Sequence, residues 1–129
     1  MKYLLDTHAL LWIVGNDQRL SDKVQALFLN TKNDFFLSVA SLWEMAIKIS
    51  LKKLEIGQDL EQFREEHIRG NDVQVINIRA EHIFPITDLP FHHRDPFDRL
   101  LVCQAMVEKM PIISKDPAFD AYPVKRIWQ

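Results

Sequence analysis

The segment KYLLDTHALLWIV, residues 2–14, places a strand, an acidic residue and a helix in direct succession. We predict a strand at Lys2–Asp6, because residues 3–5 are contiguous and apolar, as in a strand buried on both faces. His8–Val14 is apolar enough to form a buried helix. Asp6 therefore stands where a strand ends and a helix is about to begin, which is where open α/β sheets place ligand-binding residues.

The rest of the chain continues this alternation of short apolar strands with helices. We predict helices at Asp22–Asn30, Val39–Lys53, Asp59–Ile68, Ala80–Phe84 and Asp95–Lys109, strands at Asp34–Ser38, Val73–Ile78, Ile112–Ser114 and Val124–Trp128, and a loop at Ile86–Arg94. The alternation predicts an α/β fold, in which helices flank a mostly parallel sheet of four to five strands.

Length and composition indicate one globular domain, residues 1–129, with 47% hydrophobic residues. No apolar run approaches the roughly 20 residues that span a bilayer, so we expect no membrane association. The apolar stretch at the N-terminus is too short for a signal peptide. The single cysteine, Cys103, excludes an internal disulfide and fits a reducing cytoplasm. The net charge of −2 argues mildly against a nonspecific nucleic-acid binder.

Four acidic residues occupy predicted strand ends or the first turns of the helices that follow, namely Asp6, Glu44, Asp98 and Asp116. Because parallel strands present their carboxyl ends at one edge of a sheet, we expect these side chains to converge. Clustered carboxylates repel one another, so the folded state tolerates them when a cation lies between them. Carboxylate oxygens suit Mg²⁺ or Mn²⁺. The pattern favours phosphodiester hydrolysis by metal-activated water.

Helix capping is the structural alternative for each acid. Glu44 and Asp98 stand three residues after Ser41 and Asp95, which matches a capping box in both places. The other two acids could cap the elements that follow them. Four independent caps at one edge are less expected than a common site. Asp95 precedes a proline and is first of all an N-cap, although its charge could support the cluster from outside the ligand set.

Four segments carry these acids in order: LLDTHALLW (residues 4–12), SVASLWEMAIK (38–48), HRDPFDRLL (93–101) and SKD (114–116). They resemble the motifs of PIN-domain ribonucleases, specifically the VapC-type toxins of prokaryotic toxin–antitoxin pairs. The resemblance covers the whole chain and implies a PIN-like three-layer sandwich. It implies a metal-dependent endoribonuclease that uses the four acids as catalytic residues and ligands of Mg²⁺ or Mn²⁺. It also implies an RNA substrate, a small antitoxin partner and a cytosolic homodimer.

Three further residues beside the acids are candidates for supporting roles. Thr7 and Ser38 carry hydroxyls that could hold a carboxylate or a metal-bound water, with helix capping as the equal alternative. Arg99 could contact a scissile phosphate, or it could pair with a neighbouring carboxylate.

The histidines offer a weaker signal. His92 and His93 together with Asp95 suggest a zinc site, but zinc usually takes four ligands and this set is incomplete. We therefore interpret both histidines as hydrogen-bonding residues of a loop, and we interpret His8 and His67 as structural.

Two other functions fit an acidic α/β domain. A phosphoacceptor receiver needs an acidic pair after the first strand and an aspartate after the middle strand, whereas Asp6 is alone and residues 77–79 read Asn-Ile-Arg. The second alternative is a catalytically silent PIN binding module, against which the intact acidic set argues.

Overall fold

A computed structural model describes all residues 1–129 and contains one sheet of five parallel strands. The strands are β1 (Lys2–Leu5), β2 (Asp34–Ser38), β3 (Val73–Ile76), β4 (Ile112–Ile113) and β5 (Arg126–Ile127). They lie in the order β3-β2-β1-β4-β5, and each neighbouring pair is parallel. The prediction of a mostly parallel sheet of four to five strands is confirmed.

Six α-helices connect and cover the strands. They are α1 (Thr7–Val14), α2 (Asp22–Leu29), α3 (Val39–Ser50), α4 (Leu60–Phe63), α5 (Ala80–Ile83) and α6 (Pro96–Glu108). Helix α4 continues through a π-helical turn at Arg64–Ile68 and a 3₁₀ turn at Arg69–Asn71, and further 3₁₀ turns lie at Phe84–Asp88 and Pro117–Ala121. None of the helices is both long enough and apolar enough to span a membrane.

The sheet separates two apolar cores. Successive side chains of a strand point to opposite faces, so the adjacent residues Leu4 and Leu5 of β1 enter different cores. Leu5 packs in one core with Leu10 of α1 and Met45 of α3, and Leu4 packs in the other with Leu101 of α6. All of these side chains are almost fully buried. The result is a three-layer sandwich of helices, sheet and helices.

Several predicted boundaries are wrong by a few residues. The predicted loop at Ile86–Arg94 begins too early, because the 3₁₀ turn continues to Asp88. Helix α5 ends at Ile83 rather than at the predicted Phe84, and Pro85 lies in the first turn of the 3₁₀ helix that follows, where its missing N–H leaves no bond unmade. Helix α3 ends before the predicted Lys53, and Lys52 adopts a left-handed φ of 58°. Strands β3, β4 and β5 are each shorter than predicted.

The strand order identifies where a ligand is expected. From β1 the chain proceeds outward to β2 and β3 on one side, whereas β4 and β5 lie on the other. Ligands of open α/β sheets bind outside the carboxyl ends of the strands at such a switch point, here between β1 and β4. Receiver domains have the order 2-1-3-4-5, so the observed order removes the receiver alternative.

Candidate active site

A pocket of about 370 Å³ lies at the carboxyl edge of the sheet. Its lining includes all five acids singled out in the sequence, Asp6, Glu44, Asp95, Asp98 and Asp116. The structure thus brings together side chains that are up to 110 positions apart (116 − 6).

Asp6 follows β1 and occupies the N-cap position of α1, but its carboxylate caps nothing. Instead, its Oδ2 accepts a hydrogen bond of 2.8 Å from the hydroxyl of Ser114, and His8 Nδ1 lies 3.4 Å from the same oxygen. Ser114 Oγ in turn accepts the backbone N–H of Asp116 at 3.0 Å. Burial raises the pKa of Asp6, although His8 and Ser114 oppose the shift. The fully buried Ser114 therefore links two of the acids, and sequence reasoning missed this role.

Glu44 is held by a threonine, and the capping alternative for it is wrong. Helix α3 begins at Val39, where Ser38 Oγ accepts the N–H of Ala40 at 3.0 Å. Ser38 is therefore a helix cap, and Ser41 lies inside the helix, where it cannot start a capping box. Thr7 Oγ1 lies 2.8 Å from Glu44 Oε1 and 2.9 Å from Ser41 Oγ. The hydroxyl of Thr7 thus orients this carboxylate.

Asp98 carries the least compensated carboxylate of the pocket. Asp95 Oδ1 caps α6 by accepting the N–H groups of Phe97 and Asp98, at 2.8 and 3.3 Å. Asp98 does not complete a capping box; its carboxylate accepts no hydrogen bond, and His93 Nε2 is 4.0 Å from its Oδ2. Burial, followed by the charges of Asp6 and Asp95, raises the pKa of Asp98 to about 7. A carboxylate in this state is one that a bound cation would stabilise.

Asp116 combines a capping role with a place in the pocket. Its Oδ1 accepts the N–H of Ala118 at 2.9 Å, and its Oδ2 lies 3.0 Å from His93 Nε2. Partial burial raises the pKa of Asp116, but the hydrogen bonds from His93 and Ala118 outweigh it, so the pKa lies below its usual value. His93, Asp98 and Asp116 each place one potential ligand atom within 4.8 Å of the others.

The interpretation of His93 is therefore corrected, and a second histidine lies at the same pocket. His93 is buried and reaches the acids of the pocket, rather than bonding only within its loop. His8 also lines the pocket, where its Nε2 accepts the backbone N–H of Lys115 at 3.2 Å and its Nδ1 lies 3.4 Å from Asp6 Oδ2. Each stands two residues from an aspartate of the pocket, Asp6 or Asp95, which is a weak signal, because sequence spacing alone does not show where a side chain points.

Arg99 has neither of its predicted roles. Its guanidinium is buried and donates hydrogen bonds to backbone carbonyls, at 3.0 Å to Leu89 and Pro90 and at 3.3 Å to Ile86. A weaker bond of 3.4 Å reaches the carbonyl of His93. The phosphate contact and the carboxylate pair are both wrong, because the donors of this side chain are occupied by the loop that precedes α6.

The pocket has an excess of negative charge. Its lining contains five carboxylates and only two lysines, Lys48 and Lys53. Lys48 Nζ lies 3.4 Å from Glu44 Oε2, so one carboxylate is partly neutralised. The remaining oxygen donors fit Mg²⁺ or Mn²⁺, which prefer hard carboxylate ligands.

Solved structures of similar fold share little sequence with this chain. VapBC2 from Rickettsia felis bound to a DNA fragment from their promoter has a TM-score of 0.72 at 18% identity, with 100% of both chains covered. DNA-bound VapBC from Salmonella typhimurium has a TM-score of 0.69 at 13% identity, covering 98% of this chain and 97% of that one. A toxin–antitoxin complex from Klebsiella pneumoniae has a TM-score of 0.62 at 16% identity, covering 97% and 95%. At these identities the likeness shows the fold.

Comparison at the sequence level gives the family. No functionally curated protein matches the sequence significantly. The model of the PIN domain family, in contrast, matches residues 3–125. The match spans nearly the whole chain and includes all four predicted acids, and the chain therefore belongs to the PIN domain family.

Proposed function

We propose that this protein is a metal-dependent endoribonuclease and the toxin of a type II toxin–antitoxin pair. The observation that carries the proposal is the carboxylate of Asp98, which lies in an acidic pocket without a hydrogen-bond donor and has its pKa raised to about 7. Ionising this carboxyl group costs free energy when no cation is near, and a bound cation would stabilise the charged form. Membership of the PIN domain family supports nuclease chemistry at this pocket.

The residues that would hold Mg²⁺ or Mn²⁺ are Asp6, Glu44, Asp98 and Asp116. When bound, the ion supplies a water of lowered pKa and stabilises charge on a phosphoryl group. The protein contributes preorganisation, because Ser114 and Thr7 already hold two of the carboxylates through hydrogen bonds of 2.8 Å.

Two lysines contribute a second effect. Lys48 and Lys53 line the same pocket and supply positive charge beside the acids. Positive charge at the mouth of a pocket raises the local concentration of polyanions. We infer that these side chains attract the phosphates of an RNA strand, while the acids bind the cation that acts on one of them.

The direct test is cleavage of RNA by the purified protein in the presence of Mg²⁺ or Mn²⁺. We expect Asp6→Asn and Asp98→Asn to abolish cleavage while the circular dichroism spectrum stays that of the wild type. The matched control is Asp34→Asn, because Asp34 is exposed at the opposite end of β2 and its side chain makes no hydrogen bond. Full activity of the Asp6→Asn, Asp98→Asn double variant would refute the nuclease assignment.

The partner proposal follows from the same family of structures. One structural relative is a toxin–antitoxin complex, and we infer that this chain likewise binds a small antitoxin that suppresses its activity in the cytoplasm. Expression alone should arrest growth, co-expression with the neighbouring reading frame should relieve the arrest, and Asp6→Asn should remove the toxicity. Arrest that persists in Asp6→Asn would show that toxicity does not come from this pocket.

We also infer a homodimer, which light scattering of the purified protein tests directly.

A catalytically silent PIN binding module is the competing function. It predicts that the wild-type protein binds no Mn²⁺ in a calorimetric titration, whereas the nuclease proposal predicts binding.

A further inference from the structure

The ring of His93 is tightly packed beside the pocket, and the proposed function gives it no role. Its ring is buried, stacks on Tyr122 with 6° between the planes and packs against Phe119 at 4.5 Å between centroids. Its backbone N–H donates to the hydroxyl of Tyr122 at 2.7 Å. Arg99 anchors the loop in front of it. The ring therefore has little freedom, and its Nε2 faces the pocket.

The two ring nitrogens of His93 have different surroundings. Nε2 lies 3.0 Å from Asp116 Oδ2, whereas Nδ1 is buried and has no hydrogen-bond partner. A proton on Nδ1 would be a buried donor without an acceptor, and Nε2 would then present a lone pair to a carboxylate oxygen. The geometry therefore favours the tautomer with its proton on Nε2, which donates to Asp116.

This protonation pattern argues against metal ligation by His93, although the residue stands within 4.8 Å of Asp98 and Asp116 ligand atoms. A histidine that binds a metal through one nitrogen almost always donates the N–H of the other to an acceptor. Ligation through Nε2 would move the proton to Nδ1, where the structure provides no acceptor. Nε2 therefore carries the ring proton and has no lone pair to offer a cation.

We propose that His93 is a positioning residue, which holds the carboxylate of Asp116 by an Nε2–H hydrogen bond and leaves an all-oxygen ligand set. The inference rests on the proposed metal site. Ala118 already fixes Oδ1 of Asp116, so His93 completes the orientation of this side chain before any cation binds. An all-oxygen set suits Mg²⁺ or Mn²⁺, whereas an imidazole ligand would shift preference toward Zn²⁺.

The test is the tautomer of His93 in the ¹⁵N-labelled full-length protein, read from long-range ¹H–¹⁵N spectra of the histidine rings. His8 is an internal reference of opposite sense, because its Nε2 accepts the N–H of Lys115 at 3.2 Å and its proton belongs on Nδ1. We expect His93 to be protonated on Nε2, without metal and with saturating Mg²⁺. A proton on Nδ1 in either state would overturn the proposal.

Calorimetric titration with Mn²⁺ provides a second readout. His93→Leu should lower the affinity about 10-fold to 100-fold, as for other partners of metal ligands. His93→Gln, whose amide can donate in place of Nε2–H, should restore most of it. Equal affinities of the wild type and the His93→Leu variant would overturn the proposal. If the wild type binds no Mn²⁺, the nuclease proposal fails, whereas the metal-free tautomer still decides the hydrogen bond of His93 by itself.

Discussion

At the residue scale, each pocket acid is distinguished by the group that holds it. Ser114 donates to Asp6, and Thr7 reaches Glu44, both at 2.8 Å. Asp98 is held by no donor. The pocket is thus partly preorganised, with one carboxylate left to be stabilised by a ligand.

The hydroxyl of Thr7 is the first point of test. Thr7→Val keeps the shape of the side chain but leaves Glu44 Oε1 without its donor in a partly buried setting. We expect a loss of about 1–3 kcal/mol in the free energy of unfolding, measured by urea denaturation. Thr7→Ser, which retains the hydroxyl, should lose less. If the valine variant is as stable as the serine variant, the hydroxyl does not hold Glu44.

The raised pKa of Asp98 predicts the pH dependence of metal-free stability. Its folded pKa of about 7 lies above the ordinary value of 3.8, so between these values the folded state binds more protons than the unfolded state. Stability from this group is present at low pH and is lost as pH rises through that window. Because asparagine does not ionise, the Asp98→Asn variant should not lose this stability as the pH rises.

Thermal unfolding in a chelator measures this effect. The unfolding temperature of Asp98→Asn should exceed that of the wild type. This advantage should grow between pH 5 and 7 and stay constant above, reaching on the order of 5 °C. Asp34→Asn serves as the control, since its side chain is exposed and outside the pocket. An advantage that is the same at pH 5 and pH 8 would contradict the raised pKa.

At the scale of the element, helix starts deliver the acids to the pocket. Asp95 caps α6 through Phe97 and Asp98 N–H groups, while its charge helps to raise the pKa of Asp98. Capping and electrostatics can be separated, because serine caps a helix without a charge.

We predict that Asp95→Ala costs about 1 kcal/mol of unfolding free energy and that Asp95→Ser costs less. Both variants should bind Mn²⁺ more weakly than the wild type to a similar, modest extent, because each removes one charge from the pocket. Urea denaturation and calorimetry measure the two effects. Loss of all Mn²⁺ binding in Asp95→Ser would show that Asp95 is itself a ligand.

Arg99 connects α6 with the loop before it. Its buried guanidinium satisfies several carbonyls at once, among them those of Leu89 and Pro90, a geometry that the single ammonium of lysine cannot reproduce. We expect Arg99→Lys to lower the unfolding free energy by about 2 kcal/mol or more. Urea denaturation measures this change. If Arg99→Lys is as stable as the wild type, these hydrogen bonds do not hold the loop.

At the scale of the whole molecule, the strand order converts distant sequence positions into one pocket. The convergence of Asp6 and Asp116 could be predicted, because strand ends and helix starts can be recognised from apolar runs and capping residues, and parallel strands share an edge. The order β3-β2-β1-β4-β5 then places the switch point between the two strands that they follow.

Roles that depend on side-chain direction could not be read in the same way. Arg99 follows Asp98 directly, yet its side chain is buried and donates to carbonyls of the loop that precedes the helix. Ser41 matches a capping box, but the helix starts at Val39, because Ser38 supplies an equally good cap. The contact of His93 with the acids of the pocket could not be predicted either, because it depends on a loop whose course is set by residues distant in sequence.

The central claim is that these carboxylates form one divalent-metal site, and titration of Mn²⁺ followed by thermal unfolding tests it most directly. A ligand that binds only the folded state stabilises it by about 2.7 kcal/mol at 100 times its dissociation constant. The account predicts that Mn²⁺ raises the unfolding temperature of the wild type and of Asp34→Asn, and that it leaves Asp98→Asn nearly unchanged. Equal stabilisation of all three proteins, or of none, would contradict it.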